Sequence, residues 1–215
     1  MELLDNISEA LEEGNRKQVL SLIKKALDDG IPADDILNNG LLKGMDRIAE
    51  LYKINQIFVP HVIMVTSAMN AGTNLLRPYL SSEFTEFKGR AVFGTVRGDI
   101  HDIGKSLCSI MAKNRGIEII DLGTDVAAED FIEAAIKYDC DIIGMSALLT
   151  TSMKEMEKVI KAAEAAGIRD KVSIMIGGAP VSQKFADRIG ADFFTKDFID
   201  CADTAVEICK AKRCE

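Results

Sequence analysis

Along the first eighty positions apolar residues recur at three- and four-residue steps. After position 89 short apolar runs alternate with helical stretches. Leu3, Leu4, Ile7 and Leu11 form a first stripe, which Gly14-Asn15 interrupts and re-caps. A second stripe, Val19, Leu20, Leu22, Ile23 and Leu27, ends at Gly30. Pro32 suits the first turn of a third helix, with Asp34 and Asp35 beside its positive end. That helix carries Ile36, Leu37, Leu41, Leu42, Met45, Ile48, Ala49 and Tyr52. Pro60 opens a fourth, through Val62, Ile63, Val65, Met69 and Leu76 to Pro78. Short connections between such helices predict a four-helix bundle over residues 1–80.

Residues 81–89, SSEFTEFKG, have no clear period and read as a linker. Strand-like runs follow at Arg90–Val96, Ile117–Asp121, Asp141–Ser146, Val172–Ile176 and Ala191–Thr195. Helical patterns lie near 104–115, 128–138, 152–166, 181–189 and 198–211. Five βα units predict an α/β domain over 90–215, a five-stranded parallel, doubly wound sheet of the flavodoxin or Rossmann kind. Ligands of such sheets bind at the carboxyl ends of the strands. The loops at 97–104, 122–127, 146–152 and 177–181 are therefore the place to look.

A chain of 215 residues, 47% hydrophobic and 28% charged, can bury a sizeable core beneath an ordinary polar surface. The net charge of −8 argues against a nucleic-acid partner. No apolar run reaches membrane-spanning length, and the acidic N-terminus is unlike a signal peptide. A cytoplasmic protein is expected. Five cysteines, Cys108, Cys140, Cys201, Cys209 and Cys214, form no CxxC pair and lack zinc-ligand spacing. Free thiols in a reducing compartment are expected, with Cys108 and Cys140 buried and the other three on a polar terminal segment.

The loop after the first strand reads Gly98-Asp99-Ile100-His101-Asp102-Ile103-Gly104-Lys105-Ser106. Gly-Lys-Ser suggests a phosphate-binding loop, but five residues separate the glycines where that motif has four. Asp99 would also repel phosphate. GxGxxG, the dinucleotide signature, is absent from this turn. A metal ligand is the third reading. The chain has two histidines, and His101 stands between two aspartates at the expected binding edge. A coordinating imidazole usually gives its other N–H to a carboxylate, and Asp99 is placed to accept it. A solvated loop histidine with acidic neighbours fits the same residues. A single imidazole does not make a zinc site, but it would complete a metal already held by a macrocycle.

Asp99-x-His101-x-x-Gly104, Ser146-x-Leu148 and Gly177-Gly178 together resemble the DxHxxG…SxL…GG signature of cobalamin-binding domains. "DLGTDV", "GMSALLTTSMKEM" and "IGGAP" resemble the methyl-carrying branch, with methionine synthase and the corrinoid proteins of methyltransferase systems. "GLLKGM" and "FVP" resemble its helical cap. The likeness covers roughly residues 1–195, and the cap weighs against the B12-dependent mutases.

The resemblance implies a bound cobalamin (methylcobalamin or another corrinoid) whose benzimidazole arm leaves cobalt for a slot beside the first strand. His101 becomes the lower axial cobalt ligand, Asp99 its orienting carboxylate, and Ser152 an extension of that pair. Gly104 makes room beside the corrin and starts the helix. Ser146 and Leu148 line the slot with Thr150 nearby, and Gly177 and Gly178 admit the nucleotide tail. Tyr52 and Val59 cover the upper face. Taken singly, Ser146 and Ser152 also suit helix caps, Leu148 suits the core, and the glycines suit a turn.

The chain departs from the family pattern at His61 after "FVP", at Ser106, and at Phe194-Thr195. The implied function is carriage of a methyl group on cobalt between a donor-specific methyltransferase and an acceptor methyltransferase, with a reductive activase as a further partner. The carrier is not catalytic alone. A B12-dependent sensor is the alternative and would need an output module; a flavodoxin-like domain that has lost cobalamin would show no cobalt spectrum.

Overall fold

The computed structural model describes residues 2–80 and 89–212; the expected linker, apart from Gly89, and Cys214 lie outside them. Two compact units emerge, 1–86 and 87–215.

In the first unit, α1 (Glu2–Glu12) and α2 (Arg16–Asp28) are joined through Asn15, whose side chain accepts from the Gln18 N–H and caps α2. Pro32 stands just before the third helix rather than within its first turn. That helix begins as α3 (Ala33–Asp35), widens into a π-helical segment at Ile36–Leu42, and continues as α4 (Lys43–Lys53). Seven residues of π-helix were not foreseen, because a widened turn keeps the apolar stripe on the same face. α1 crosses this helix closely. A Cβ on Gly40 would lie 3.1 Å from the Ile7 side chain, and one on Gly44 3.0 Å from the Ser8 carbonyl oxygen. α5 (Val59–Leu76) starts with Pro60 in its first turn. Ile7, Leu11, Ile23, Ile36, Leu41, Ile48, Met69 and Leu76 fill the core. His61 turns into the bundle, its Nε2–H 2.6 Å from the carbonyl oxygen of Glu12, and satisfies an end carbonyl of α1.

The second unit is a five-stranded, wholly parallel sheet: β1 (Gly89–Thr95), β2 (Ile117–Asp121), β3 (Ile142–Ser146), β4 (Ser173–Gly177) and β5 (Phe193–Thr195). Its order, β2-β1-β3-β4-β5, is the flavodoxin-like one. The helices are α6 (Ile103–Asn114), α7 (Ala128–Lys137), α8 (Met153–Ala165), α9 (Gln183–Ile189) and α10 (Phe198–Lys212). α6 packs on α10, while α7, α8 and α9 follow one another in contact. Val92, Val96, Phe131, Ile143, Met156, Ile160, Ile174 and Phe185 form the core between the sheet and α7–α9. β1 and β3 neighbour each other although β2 lies between them in sequence, so the chain reverses direction across the sheet at this pair. The crevice predicted to hold a ligand opens over their carboxyl ends.

Among the described cysteines, Cys201 and Cys209 are buried on α10 rather than lying on a polar surface, while Cys108 is only half-buried. Cys201 is hydrogen-bonded to Cys108, and this contact together with burial pushes its thiol well up. Thr195 is buried and bonded to the same thiol, so that departure from the family pattern is absorbed inside the fold. No helix among the described residues is long and apolar enough to cross a membrane.

Candidate functional site

At the β1–β3 crevice the side chain of Asp99 is wholly buried, and every contact on its carboxylate is a donor. Oδ1 accepts from His101 Nδ1 at 2.7 Å and from the His101 backbone N–H at 3.1 Å. Oδ2 accepts from the N–H groups of Leu148 at 2.7 Å and Leu149 at 3.0 Å, and from Ser152 Oγ at 2.9 Å. Burial alone would raise this carboxyl. The hydrogen bonds from His101, Leu148 and Leu149 outweigh it and hold Asp99 far below the usual carboxylate range. An ionised carboxylate only accepts, so the proton between it and His101 sits on Nδ1. In a neutral ring the lone pair is then on Nε2. The imidazole side chain is 49% exposed.

Ser152 precedes α8, but its side chain makes no helix-cap hydrogen bond. Its Oγ lies 2.9 Å from Asp99 and 2.8 Å from the Leu149 carbonyl, which removes the helix-cap reading. Ser146 Oγ is 2.9 Å from Thr95 Oγ1, which in turn lies 2.9 Å from the carbonyl oxygen of His101. Across the crevice, Asp125 Oδ1 accepts from Gly98 N–H at 2.7 Å, and the Asp125 N–H donates to the Asp99 carbonyl at 2.9 Å. Asp125 takes a positive φ of 56° to do so. Thr95 and Asp125 escaped sequence analysis. Their signals were a hydroxyl ending an apolar strand and the second acidic residue within "DLGTDV".

Lys105 is buried, with Nζ 2.5 Å from Asp121 Oδ1. It ties α6 to the end of β2 and is committed to a carboxylate, which agrees with rejecting a phosphate loop. Gly104 lies in the first turn of α6, and a Cβ there would meet nothing within 4 Å. The protein's own packing does not require that glycine, and the space over it is available to a ligand. Gly178 differs: at φ 129° a Cβ would fall 1.9 Å from the Ala147 carbonyl oxygen. At Gly177 the neighbour is the Thr195 carbonyl, 3.0 Å away. Gly178 is thus needed by the fold itself, and Gly177 is tightly packed. Leu148 and Thr150 are exposed on the β3–α8 loop, so Leu148 is not a core residue. Ile100, Ile103, Leu148 and Leu149 set an exposed apolar rim on the loops beside His101. Tyr52 and Val59 belong to the first unit, half-buried at the end of α4 and the start of α5.

No group of three or more His, Cys, Asp or Glu among the described residues could hold a bare metal ion. What the site offers is one oriented imidazole nitrogen, open space over Gly104 and an apolar rim. These fit a metal that arrives already held by a macrocycle.

A parallel sheet with an oriented histidine at its switch point defines a cofactor-carrying α/β protein with a helical companion unit. The chain belongs to the B12-binding corrinoid protein family. The B12 binding domain model matches residues 89–197, and a second B12 binding domain model matches 3–77. Dimethylamine corrinoid protein 3 of Methanosarcina acetivorans is 38% identical over 96% of both chains. A corrinoid protein of Desulfitobacterium hafniense is 39% identical over 97% of this chain and 96% of its own. The methanol:cobalamin methyltransferase complex of Methanosarcina barkeri contains a chain that superposes with a TM-score of 0.83 and 29% identity, covering 97% of this chain and 80% of that one. The cofactor is therefore a corrinoid.

Proposed function

We propose that this protein carries a methyl group on the cobalt of a corrinoid, receiving it from a donor-specific methyltransferase and yielding it to an acceptor methyltransferase. One observation carries the reading: the buried carboxylate of Asp99, 2.7 Å from His101 Nδ1, engages one ring nitrogen and leaves Nε2 as the ligating atom. The names of the 38–39% identical relatives support the methyl-transfer setting. When bound, the corrin cobalt supplies a centre able to take up and release a methyl group.

In this reading His101 would hold the cobalt through its imidazole, and Asp99 would raise the basicity of the ring and fix its direction. Ser152 and the two backbone N–H groups keep Asp99 ionised. Gly104 leaves space for the ring edge, while Ser146, Leu148, Thr150, Gly177 and Gly178 receive the nucleotide arm. Tyr52 and Val59 would serve to shield the bound cofactor, since excluding water protects a reactive centre. A reductive activase is a further partner in this proposal.

Reconstitution with cobalamin tests the reading. About one cobalamin per chain is expected, and the Co(II) form should show coupling to an imidazole nitrogen that changes when protein histidine is labelled with nitrogen-15. Coupling that is blind to the label and follows benzimidazole would overturn the ligand assignment. Absence of methyl uptake with any corrinoid methyltransferase partner would overturn the carrier role.

A further inference from the structure

We propose that Thr95 is a positioning residue for His101: its hydroxyl fixes the His101 carbonyl and thereby sets where Nε2 points. The inference rests on His101 being the cobalt ligand. β1 lies between β2 and β3, and Thr95 closes it with no exposure. Its backbone is pinned, the N–H donating to Gly123 O and the carbonyl accepting from Val126 N–H, each at 3.0 Å. A valine would fill the same volume in such a strand. Packing therefore does not account for the hydroxyl.

The hydroxyl has two neighbours, His101 O and Ser146 Oγ, both at 2.9 Å. A carbonyl only accepts, so the Thr95 proton goes to His101. Ser146 must then be the donor to Thr95. A short chain of donors thus runs from the end of β3, through the end of β1, onto the ligand loop.

His101 is held at three points that do different things. The Nδ1–H bond to Asp99 touches the ring and sets tautomer and electron donation. The backbone N–H bond to Asp99 fixes the peptide plane before Cα. The Thr95 bond fixes the plane after it. Both planes together determine the direction of the Cα–Cβ bond; with one released, ψ of an exposed loop residue is free to vary. Loss of the Thr95 donor should therefore change aim without changing imidazole basicity.

Thr95→Val keeps the shape and removes the donor, and Thr95→Ser restores it. In nitrogen-15-histidine-labelled, cofactor-free protein, the valine variant should keep the Nδ1–H tautomer but broaden or double the His101 ring signals. In the cobalamin-loaded Co(II) form, the ratio of nitrogen-coupled to uncoupled protein should fall by about 3- to 10-fold, the worth of one neutral hydrogen bond. Thr95→Ser should return to within about twofold of wild type on the same scale. Wild-type behaviour of Thr95→Val, or a serine variant no better than valine, overturns the proposal. His101→Ala separates the two readings. If it keeps wild-type nitrogen coupling, the ligand assignment fails; if it loses the coupling while Thr95→Val matches wild type, only the positioning role fails. Should Thr95→Val not fold, wild type decides: a Thr95 hydroxyl proton that exchanges slowly and lies near His101 supports the proposal, and a rapidly exchanging one overturns it.

Discussion

Ser152 stands at the entry to α8, yet its hydroxyl lies 2.9 Å from Oδ2 of Asp99, a residue 53 positions earlier on the loop after β1. A position suited to capping a helix has been given to a buried carboxylate. Ser152→Ala removes one donor from a buried charge, and the cost should be about 1–3 kcal/mol in urea unfolding. If Ser152→Ala is neutral, the hydroxyl is not holding Asp99.

Asp99 links site and stability through pH. Its folded-state proton affinity is depressed, so the unfolded chain binds the proton more readily. The contribution to stability is fully present above the unfolded value near 4 and is lost as pH falls through the lower folded value. Thermal unfolding of the cofactor-free protein should show wild type ahead of Asp99→Asn at pH 6. The gap should shrink steadily on acidification below pH 4. A gap independent of pH would remove the ionised carboxylate from the account.

His101→Ala should abolish nitrogen coupling to cobalt. Asp99→Asn should retain it while methyl transfer falls by about 10–100-fold, the usual cost of losing the partner of a metal-bound histidine. Equal effects of the two substitutions, read by electron paramagnetic resonance and transfer rate, would merge the roles assigned to ligand and orienter.

Gly104 and Gly178 should respond in opposite ways. Gly104→Ala places a methyl group in open space on a helix and should stabilise the cofactor-free protein by about 0.5–1 kcal/mol. The same methyl should weaken cobalamin binding by about tenfold or more if the corrin lies over it. Gly178→Ala meets the Ala147 carbonyl at 1.9 Å with a positive φ and should destabilise the protein itself. Calorimetry and cobalamin titration separate the two.

Lys105→Ala should lower stability. It removes the packed stem of a buried lysine and its ion pair with the exposed Asp121, and urea unfolding should show the protein destabilised. Nitrogen coupling to cobalt should nevertheless be unchanged, because no bond of the Asp99–His101 pair involves Lys105.

The five strand runs and their intervening helices were legible because period and β-branched content change together along 90–195. The loop of His101 was legible because a parallel sheet has one binding edge. Three things were not. The π-helical segment at Ile36–Leu42 leaves the apolar stripe intact. The N–H groups of Leu148 and Leu149, which hold Asp99, are main-chain atoms and carry no residue-type signature. Thr95 is an ordinary strand residue until a partner six positions ahead is placed beside it. Cys201 and Cys209 were misplaced because acidic and basic neighbours hid the inner face of α10.

The bonds on Oδ2 of Asp99 all come from residues 49 to 53 positions downstream. Until β3 has docked beside β1, those donors are not there, and an ionised carboxylate at this position remains in water. The histidine's aim is thus a late product of folding, since non-local pairings form only after the intervening loop has closed. On a ribosome the loop of Asp99 and His101 would emerge well before Leu148, Leu149 and Ser152, so a partly synthesised chain carries the histidine before the residues that brace Asp99 exist.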